Sequence, residues 1–228
     1  MKKILLIFCL LTIISSQSNA NSASPNQIFK AVQNGEVKSV QQLIKNGADV
    51  NIKDKDGKTP LHYAAYNENF KIVKLLVKNG ANVNAEYYGA TPLYFATLKN
   101  NAKIMKYLIK KGADVNTKLD NLSALLSSSM NCYKEAIEVL MKNKAEMLAE
   151  NVGLTPIEAV ALSYSSNCSL NKKEEILKIM IKYGADINMT NPYITSKYTA
   201  LDAAVSNGYS DVENLLIKLG AKSGKELN

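Results

Sequence analysis

The chain has 228 residues, with 28 basic and 20 acidic side chains, one histidine, no tryptophan and a formal net charge of +8. Every basic side chain is a lysine, because the sequence contains no arginine. Bidentate recognition of phosphate or guanine depends on the planar guanidinium group, so this composition argues against dedicated nucleic-acid binding. With 46% hydrophobic residues, the chain is too apolar to be a disordered protein.

The N-terminus has the pattern of a secretory signal peptide over residues 1–20. Two lysines precede an apolar run at residues 4–14, and the small residues Ser18 and Ala20 follow a polar stretch. The run is shorter than the ~20 residues of a membrane-spanning helix, so we expect no stable membrane insertion. We expect cleavage after Ala20, with Ala23 as the alternative end, and a linker at residues 21–25. We expect an exported bacterial protein, with the periplasm favoured and secretion as the alternative.

Two strings recur along the rest of the chain and keep step with each other. The first reads Asn-Gly-Ala-Asp-Val-Asn at residues 46–51, and related copies lie at residues 79–84, 111–116, 183–188 and, shortened, 220–222. The second reads Thr-Pro-Leu-His at residues 59–62, and its counterparts start at Thr91, Ser123, Thr155 and Thr199. The first four copies of the second string start 32 residues apart, so a structural unit of about that length is repeated.

These strings resemble those of the ankyrin-repeat family, whose period is about 33 residues and whose signature is Thr-Pro-Leu-His. The resemblance covers the chain from about residue 26 to residue 221. It implies an all-α repeat solenoid, a stack of helix-turn-helix units joined by β-hairpin loops, and we expect a monomer. The six expected repeats span residues 26–57, 58–89, 90–121, 122–153, 154–197 and 198–228.

The residues of the second repeat account for this fold in physical terms. Thr59 can cap a first helix in which Pro60 takes the first position, where a missing N–H has no cost. Apolar residues at helical spacing over residues 72–76 give the second helix a face to bury. Gly80 can then end the second helix in the left-handed conformation.

Repeats four and five depart from the pattern. Repeat five holds about eight additional residues between its helices, around residues 165–172, and about four more near residues 191–196. Such insertions in repeat arrays lie on one face, so they are either functional or the result of neutral drift. Repeat four has Ala124 in place of proline and Lys144 in place of the capping glycine. We therefore expect repeat four to be the least stable internal repeat.

The sequence contains no arrangement suited to catalysis. Its one imidazole, His62, lies in the signature string, and the resemblance implies that it bonds to backbone in the repeat core instead of acting as a base. No cysteine and histidine residues have zinc-ligand spacing, and no glycine-rich phosphate loop occurs. We expect no enzyme, no metal, no cofactor and no small-molecule substrate.

Two of the three cysteines are candidates for a disulfide. Cys132 falls in the turn between the helices of repeat four, and Cys168 falls in the extended turn at the same place in repeat five. Export would place both in a compartment where disulfides form. A bridge needs Cα atoms within about 7 Å, and the insertion of repeat five could supply that reach. Two free thiols, or a bond to another chain, are the alternatives.

The ankyrin resemblance implies a scaffold that binds a protein partner, which is an inference from fold to function. In this family, hairpin tips and the outward positions of the first helices line a concave binding surface. Those positions here carry tyrosine, leucine and methionine, which anchor protein interfaces, and we expect Tyr66, Tyr87 and Tyr88 to be the anchors. The expected contact residues are Lys55, Asp56, Lys58, Tyr66, Asn67, Tyr87, Tyr88, Leu98, Lys99, Leu119, Leu122, Met130 and Asn131.

Several roles fit an exported binding scaffold. The favoured role is that of a periplasmic protein that protects or inhibits one partner, as an immunity protein does when it neutralises a toxin. A helper of a periplasmic redox enzyme, an effector released to a host and a purely structural envelope protein are the alternatives. No motif in the sequence names the partner.

Overall fold

The computed structural model describes residues 25–147, 153–190 and 197–227, which fold mainly into paired helices. The predicted signal peptide, residues 21–24 of the predicted linker and the insertion predicted near residues 191–196 lie outside the described residues. Internal packing divides the described residues into two compact units, one that ends at Asn82 and one that begins at Val83. They are called the N-terminal unit and the C-terminal unit.

The N-terminal unit contains two helix pairs. The first pair is α1 (Pro25–Gln33) and α2 (Val37–Lys45), and the second pair is α3 (Pro60–Tyr66) and α4 (Phe70–Lys78). Helix α1 packs on α3, and α2 packs on α4, so the first and second helices form two layers. Apolar side chains such as Val32 and Leu61 are fully buried.

The C-terminal unit contains four helix pairs built in the same way. The first helix of each pair packs on the next first helix, and the second helices also pack in series. The first helices are α5 (Pro92–Leu98), α7 (Ala124–Met130), α9 (Pro156–Leu162) and α11 (Ala200–Ser206). The second helices are α6 (Ala102–Lys110), α8 (Lys134–Lys142), α10 (Leu170–Lys182) and α12 (Ser210–Lys218), and a 3₁₀ turn, Gly224–Glu226, follows.

Short antiparallel pairing forms the loops that precede two of these helix pairs. Strands β1 (Lys118–Leu119) and β2 (Leu122–Ser123) lie before α7, with Leu119 opposite Leu122. Before α5, Tyr87 and Ala90 form a single antiparallel bridge. The predicted architecture of stacked helix pairs joined by hairpin loops is therefore confirmed.

The first helices begin at a buried cap that the signature string encodes. In repeat two, the Thr59 N–H donates to His62 Nδ1 at 3.0 Å, and His62 is fully buried. In repeat five, Glu158 takes the place of the imidazole, because the Thr155 N–H donates to its carboxylate at 2.6 Å. Burial raises the pKa of the Glu158 carboxyl. The expected structural role of His62 agrees with this geometry, and acceptors of different chemistry perform the same task.

The last asparagine of the recurring string joins successive repeats within each unit. The Asn84 side chain donates to the Gly112 carbonyl at 2.9 Å and accepts from the Asp114 N–H at 2.9 Å. In the N-terminal unit, Asn51 makes the corresponding two bonds at 3.0 and 2.7 Å. Asn116 accepts from the backbone of the next repeat at 2.9 Å. An asparagine suits this position because its amide can donate and accept at once.

Replacing Asn84 by alanine should lower the free energy of unfolding by about 1–2 kcal/mol, because two hydrogen bonds to the next repeat are lost. Urea denaturation of the wild type and the variant measures this change. Lys106→Ala, at an exposed position of α6, is the control and should change stability by less than about 0.5 kcal/mol. Equal stability of the two variants would show that the asparagine bonds contribute nothing.

The insertion of repeat five is shared between a loop and a helix. Helix α10 has 13 residues, whereas the second helices of the other repeats have nine. The turn before α10 is also longer than the corresponding turns, since it covers residues 163–169. The prediction of a loop insertion around residues 165–172 is therefore only partly correct, because Leu170, Asn171 and Lys172 belong to the helix.

Repeat four departs from the pattern without losing its helices. Lys144 has a φ of +61°, so it adopts the left-handed conformation that glycine takes in other repeats. Ser128 and Ser129 are fully buried, and their hydroxyl groups donate to carbonyls of their own helix at 2.8 to 2.9 Å. Such bonds compete with the helical ladder, so the serines do not replace the stability that good helix formers would give.

Lys144→Gly should raise the free energy of unfolding by about 0.5–1 kcal/mol, because glycine adopts a positive φ without strain. The reverse change at the matched position, Gly112→Lys, should lower stability by a similar amount, since Gly112 has a φ of +90°. Both changes can be measured by thermal and urea denaturation. Hydrogen exchange should be fastest in repeat four among the internal repeats, and equal exchange in repeats two and three would contradict a local weak point.

Candidate functional site

Aromatic side chains lie at the tip of the hairpin loop before α5. Tyr88 is 72% exposed and has a φ of +47°, which is an uncommon conformation for a bulky residue. Its ring packs edge-on against Tyr87, with 4.8 Å between the ring centroids. The Tyr87 ring lies 6.2 Å from the ring of Phe95 and is half-buried. The Tyr87 ring is therefore packed between the hairpin tip and Phe95, whereas the Tyr88 ring is exposed to solvent.

An open groove of about 730 Å³ runs between the hairpin loops before α5 and α7. We call it the hairpin groove. Three carboxylates and one ammonium group line it, so its local charge is negative although the whole chain is positive. Its lining residues are Asn84, Glu86, Tyr88, Gly89, Thr91, Asp114, Asn116, Thr117, Lys118, Asp120 and Asn121.

Apolar side chains also line up at the C-terminal ends of the first helices. Leu98, Met130 and Leu162 are the last residues of α5, α7 and α9. Met130 is 46% exposed, and the two leucines are half-buried. Lys99 is exposed beyond this column, whereas Asn131 donates to the end of its own helix. Sequence reasoning included Leu98 and Met130 but missed Leu162, although it lies 32 residues after Met130 in the same register.

The predicted contact residues of the hairpin before α7 have structural neighbours. Leu119 and Leu122 face each other across the two-stranded ladder, and both are half-buried. Cross-strand pairing of this kind stabilises the hairpin itself. The part of either side chain that stays exposed is therefore the part that a partner could contact.

The remaining predicted contact residues belong to the N-terminal unit. Lys55 and Asp56 are exposed, and Tyr66 is 42% exposed at the end of α3. Lys58 is half-buried with its ammonium 5.9 Å from the centre of the Tyr63 ring. Asn67 is engaged with the first repeat, because its side-chain amide donates to the Gln33 carbonyl at 3.3 Å. Lys58 and Asn67 thus make contacts within the fold, whereas Tyr66 is the exposed aromatic residue among these predicted contact residues.

The two candidate cysteines are brought together in the C-terminal unit. Cys132 lies between α7 and α8, and Cys168 lies in the long turn before α10. Both are buried, their sulfur atoms are paired, and their Cα atoms are 5.5 Å apart, within the range of disulfides. The same turn is joined to repeat four at a second point, where the Ser163 hydroxyl donates to the Met130 carbonyl at 2.7 Å.

We predict that Cys132 and Cys168 form a disulfide in the oxidised protein. Closing a loop of this length stabilises a protein by roughly 3–4 kcal/mol in the chain-entropy model, so Cys132→Ser should be destabilised by a similar amount or less. Alkylation followed by intact mass measurement, before and after reduction, reads out the bond. Two alkylatable thiols on the non-reduced chain without its first 20 residues would contradict it.

A second cavity lies beside the long turn of repeat five and has a volume of about 420 Å³. We call it the insertion pocket. Its most unusual side chain is Lys173, which is only 7% exposed and whose Nζ donates to the Ala161 carbonyl at 2.7 Å. The pocket is lined by Leu162, Ser163, Tyr164, Lys173, Gly208, Tyr209, Ser210, Asp211 and Val212.

Sequence reasoning missed the insertion pocket, although a signal for it exists. Lys173 precedes Ile176, Leu177 and Met180 by three, four and seven residues, so it lies on the buried face of α10. A lysine in that register is an exception to the usual pattern. The predicted loop insertion extends to residue 172, so the sequence did not show that Lys173 lies inside α10.

Neither a metal site nor a membrane-spanning helix is present among the described residues. Within the described ranges, no group of histidine, cysteine and acidic residues could hold a metal ion. None of the helices that the structure describes is long and apolar enough to cross a membrane.

Comparisons with known proteins agree with the repeated architecture. Residues 28–119 match the family model described as ankyrin repeats (3 copies). Over 86% of its length, the chain superposes on 98% of a crystallised ankyrin repeat domain from Acinetobacter baumannii AYE, with a TM-score of 0.72 and 24% identity. This likeness concerns the fold.

The curated relatives match shorter segments. Ankyrin repeat domain-containing protein 49 of Drosophila melanogaster is 43% identical over 56 residues, which are 24% of this chain and 26% of that protein. Protein phosphatase 1 regulatory subunit 27 of Mus musculus is 36% identical over 73 residues, which are 32% of this chain and 46% of that protein. The chain thus spans less than half the length of these relatives.

Proposed function

Because this chain is an ankyrin-repeat protein, we propose that it is a binding scaffold whose partner is another protein. Ankyrin repeats are associated with protein–protein interaction, and one relative carries the name of a phosphatase regulatory subunit. The observation that carries the proposal is Tyr88, an aromatic side chain that is 72% exposed beside the hairpin groove. Aromatic residues of this kind anchor protein interfaces.

The contact surface that we propose in the C-terminal unit combines the hairpin groove with the column formed by Leu98, Met130 and Leu162. The column offers apolar area, including a methionine that adapts to different partners. The groove carries three carboxylates against one ammonium group, so a partner segment with basic side chains would complement it. Asn131 and Leu122 contribute to the fold as well as to this surface.

We propose further that the scaffold is exported and acts in the periplasm, where it protects or inhibits one partner in the manner of an immunity protein. The signal-peptide pattern at residues 1–20 supports export, and the paired cysteines fit an oxidising compartment. Secretion as a host effector and assistance to a periplasmic redox enzyme are the alternative roles. Cell fractionation with an antibody to the chain distinguishes periplasmic protein from released protein.

Tyr88→Asn should weaken binding of the partner by about 2 kcal/mol, because it removes an exposed aromatic anchor. Asparagine adopts a positive φ more readily than tyrosine, so the melting temperature should stay the same or rise. The partner is first isolated by co-purification with the tagged chain and identified by mass spectrometry. Its affinity for the wild type and the variant is then measured by calorimetry.

Tyr107→Ala, on the second helix of repeat three, is the control and should bind the partner as the wild type does. Unchanged affinity of Tyr88→Asn would move the contact surface away from the hairpin groove. A variant with a lower melting temperature would show that Tyr88 contributes to the fold instead.

A further inference from the structure

The insertion pocket contains a buried ammonium group without a carboxylate partner. Lys173 is 7% exposed, and its Nζ makes a hydrogen bond to the carbonyl of Ala161, close to the end of α9. Carbonyls at a helix end lack partners within the helix, so this bond has a structural purpose. An ammonium group has three donors, however. Among the described residues, no carboxylate lies within 4 Å of Nζ.

The acidic residues next to Lys173 are engaged elsewhere. The Glu174 carboxylate accepts from Lys178 at 2.7 Å and from Lys218 at 2.9 Å. Glu175 pairs with Lys134 at 2.6 Å. Burial therefore lowers the pKa of the Lys173 ammonium without a compensating charge. A buried charge of this kind is costly unless an anion pairs with it.

The rest of the pocket offers aromatic surface and further donors. The Tyr164 ring is 79% exposed and meets the Tyr209 ring edge-on, with 5.5 Å between the centroids. Tyr209 is the residue before α12, and no side chain caps that helix. Backbone N–H groups of the first turn and the Ser210 hydroxyl can therefore donate to a ligand. The Asp211 carboxylate lies exposed on the same wall and opposes an anion of high charge.

We propose that the insertion pocket binds a carboxylate group of a protein partner, with Lys173 as the counter-charge and the two tyrosines against the adjoining residue. The proposal rests on the proposed scaffold function, since it assigns the carboxylate to a protein. One ammonium group beside Asp211 suits a monoanion better than a phosphate dianion. The volume of about 420 Å³ leaves room for a side chain beside the carboxylate. A chain terminus and an acidic side chain are the two sources of this group.

Three short peptides test the proposal by calorimetry and by NMR of the purified chain. The first is acetyl-Ala-Ala-Phe with a free terminal carboxylate, the second is its amide, and the third is acetyl-Ala-Asp-Phe-amide. At least one of the two peptides with a carboxylate should bind about tenfold more tightly than the neutral amide and shift the amide signals of residues 209–212. Which one binds identifies the source. Equal binding of all three, or tighter binding of inorganic phosphate, would overturn the proposal.

Lys173→Met should reduce binding of the carboxylate peptide at least about tenfold, because it removes the charge and keeps the length of the side chain. Lys172→Met removes the same charge from the neighbouring position, which does not line the pocket, and should bind within about twofold of the wild type. Equal losses in both variants would indicate a general charge effect and would contradict the proposal.

A measurement on the wild-type chain covers the case in which Lys173→Met does not fold. NMR of a chain labelled at the lysine Cε atoms follows the titration of Lys173 directly. A bound carboxylate should raise the pKa of Lys173, because an anion favours the charged form, whereas the neutral amide should not. An unchanged titration with both carboxylate peptides would rule out the site.

Failure of this proposal can be separated from failure of the proposed function. Tyr88→Asn should bind the peptides as the wild type does, because the hairpin groove and the insertion pocket have no lining residue in common. Peptide binding with no effect of Tyr88→Asn on the partner would keep the pocket and reject the groove. The opposite result would keep the groove and reject the pocket.

Discussion

Two hydrogen bonds between an asparagine side chain and the backbone of the next repeat fix the spacing of successive repeats at Asn51 and at Asn84. Asn84 binds a carbonyl and an N–H that lie two residues apart, at Gly112 and Asp114. The backbone between them can take this path because Gly112 has a φ of +90°. Gly112, Asp114 and Asn84 thus act together. A shift of one residue in the alignment of the two repeats would break both bonds.

Much of the fold could be predicted from the sequence because its elements repeat. The Thr-Pro pair predicts the start of a first helix, and a glycine predicts the end of a second helix. The role of His62 was predictable from its place in the signature string, and Glu158 performs the same role because any acceptor at that position can bind the N–H of the threonine. Because the same two strings recur along the chain, each copy independently supports the prediction of the same local structure.

The features that could not be predicted are those that occur once. The sequence contains about eight additional residues between the helices of repeat five, but whether they extend α10 or its preceding turn depends on packing against the neighbouring helices. The burial of Lys173 follows from that choice, because one further residue of loop would place the side chain elsewhere. The exposure of Tyr88 was predictable, whereas its positive φ was not, since bulky residues rarely adopt this conformation.

The turn that carries Cys168 is also the wall of the insertion pocket, and this gives the insertion a coherent physical purpose. Ser163 and Tyr164 line the pocket, and the turn is tied to repeat four through Ser163 and through the cysteine pair. A turn that is already ordered loses little conformational entropy when a ligand binds. The contacts that hold this turn in place would therefore increase the affinity of the pocket for a ligand. The same contacts also join repeat four, which its left-handed Lys144 and buried serines are expected to weaken, to the turn before α10, the longest of the described helices. The same contacts therefore support repeat four, which we predict to be the least stable internal repeat, and order one wall of the insertion pocket.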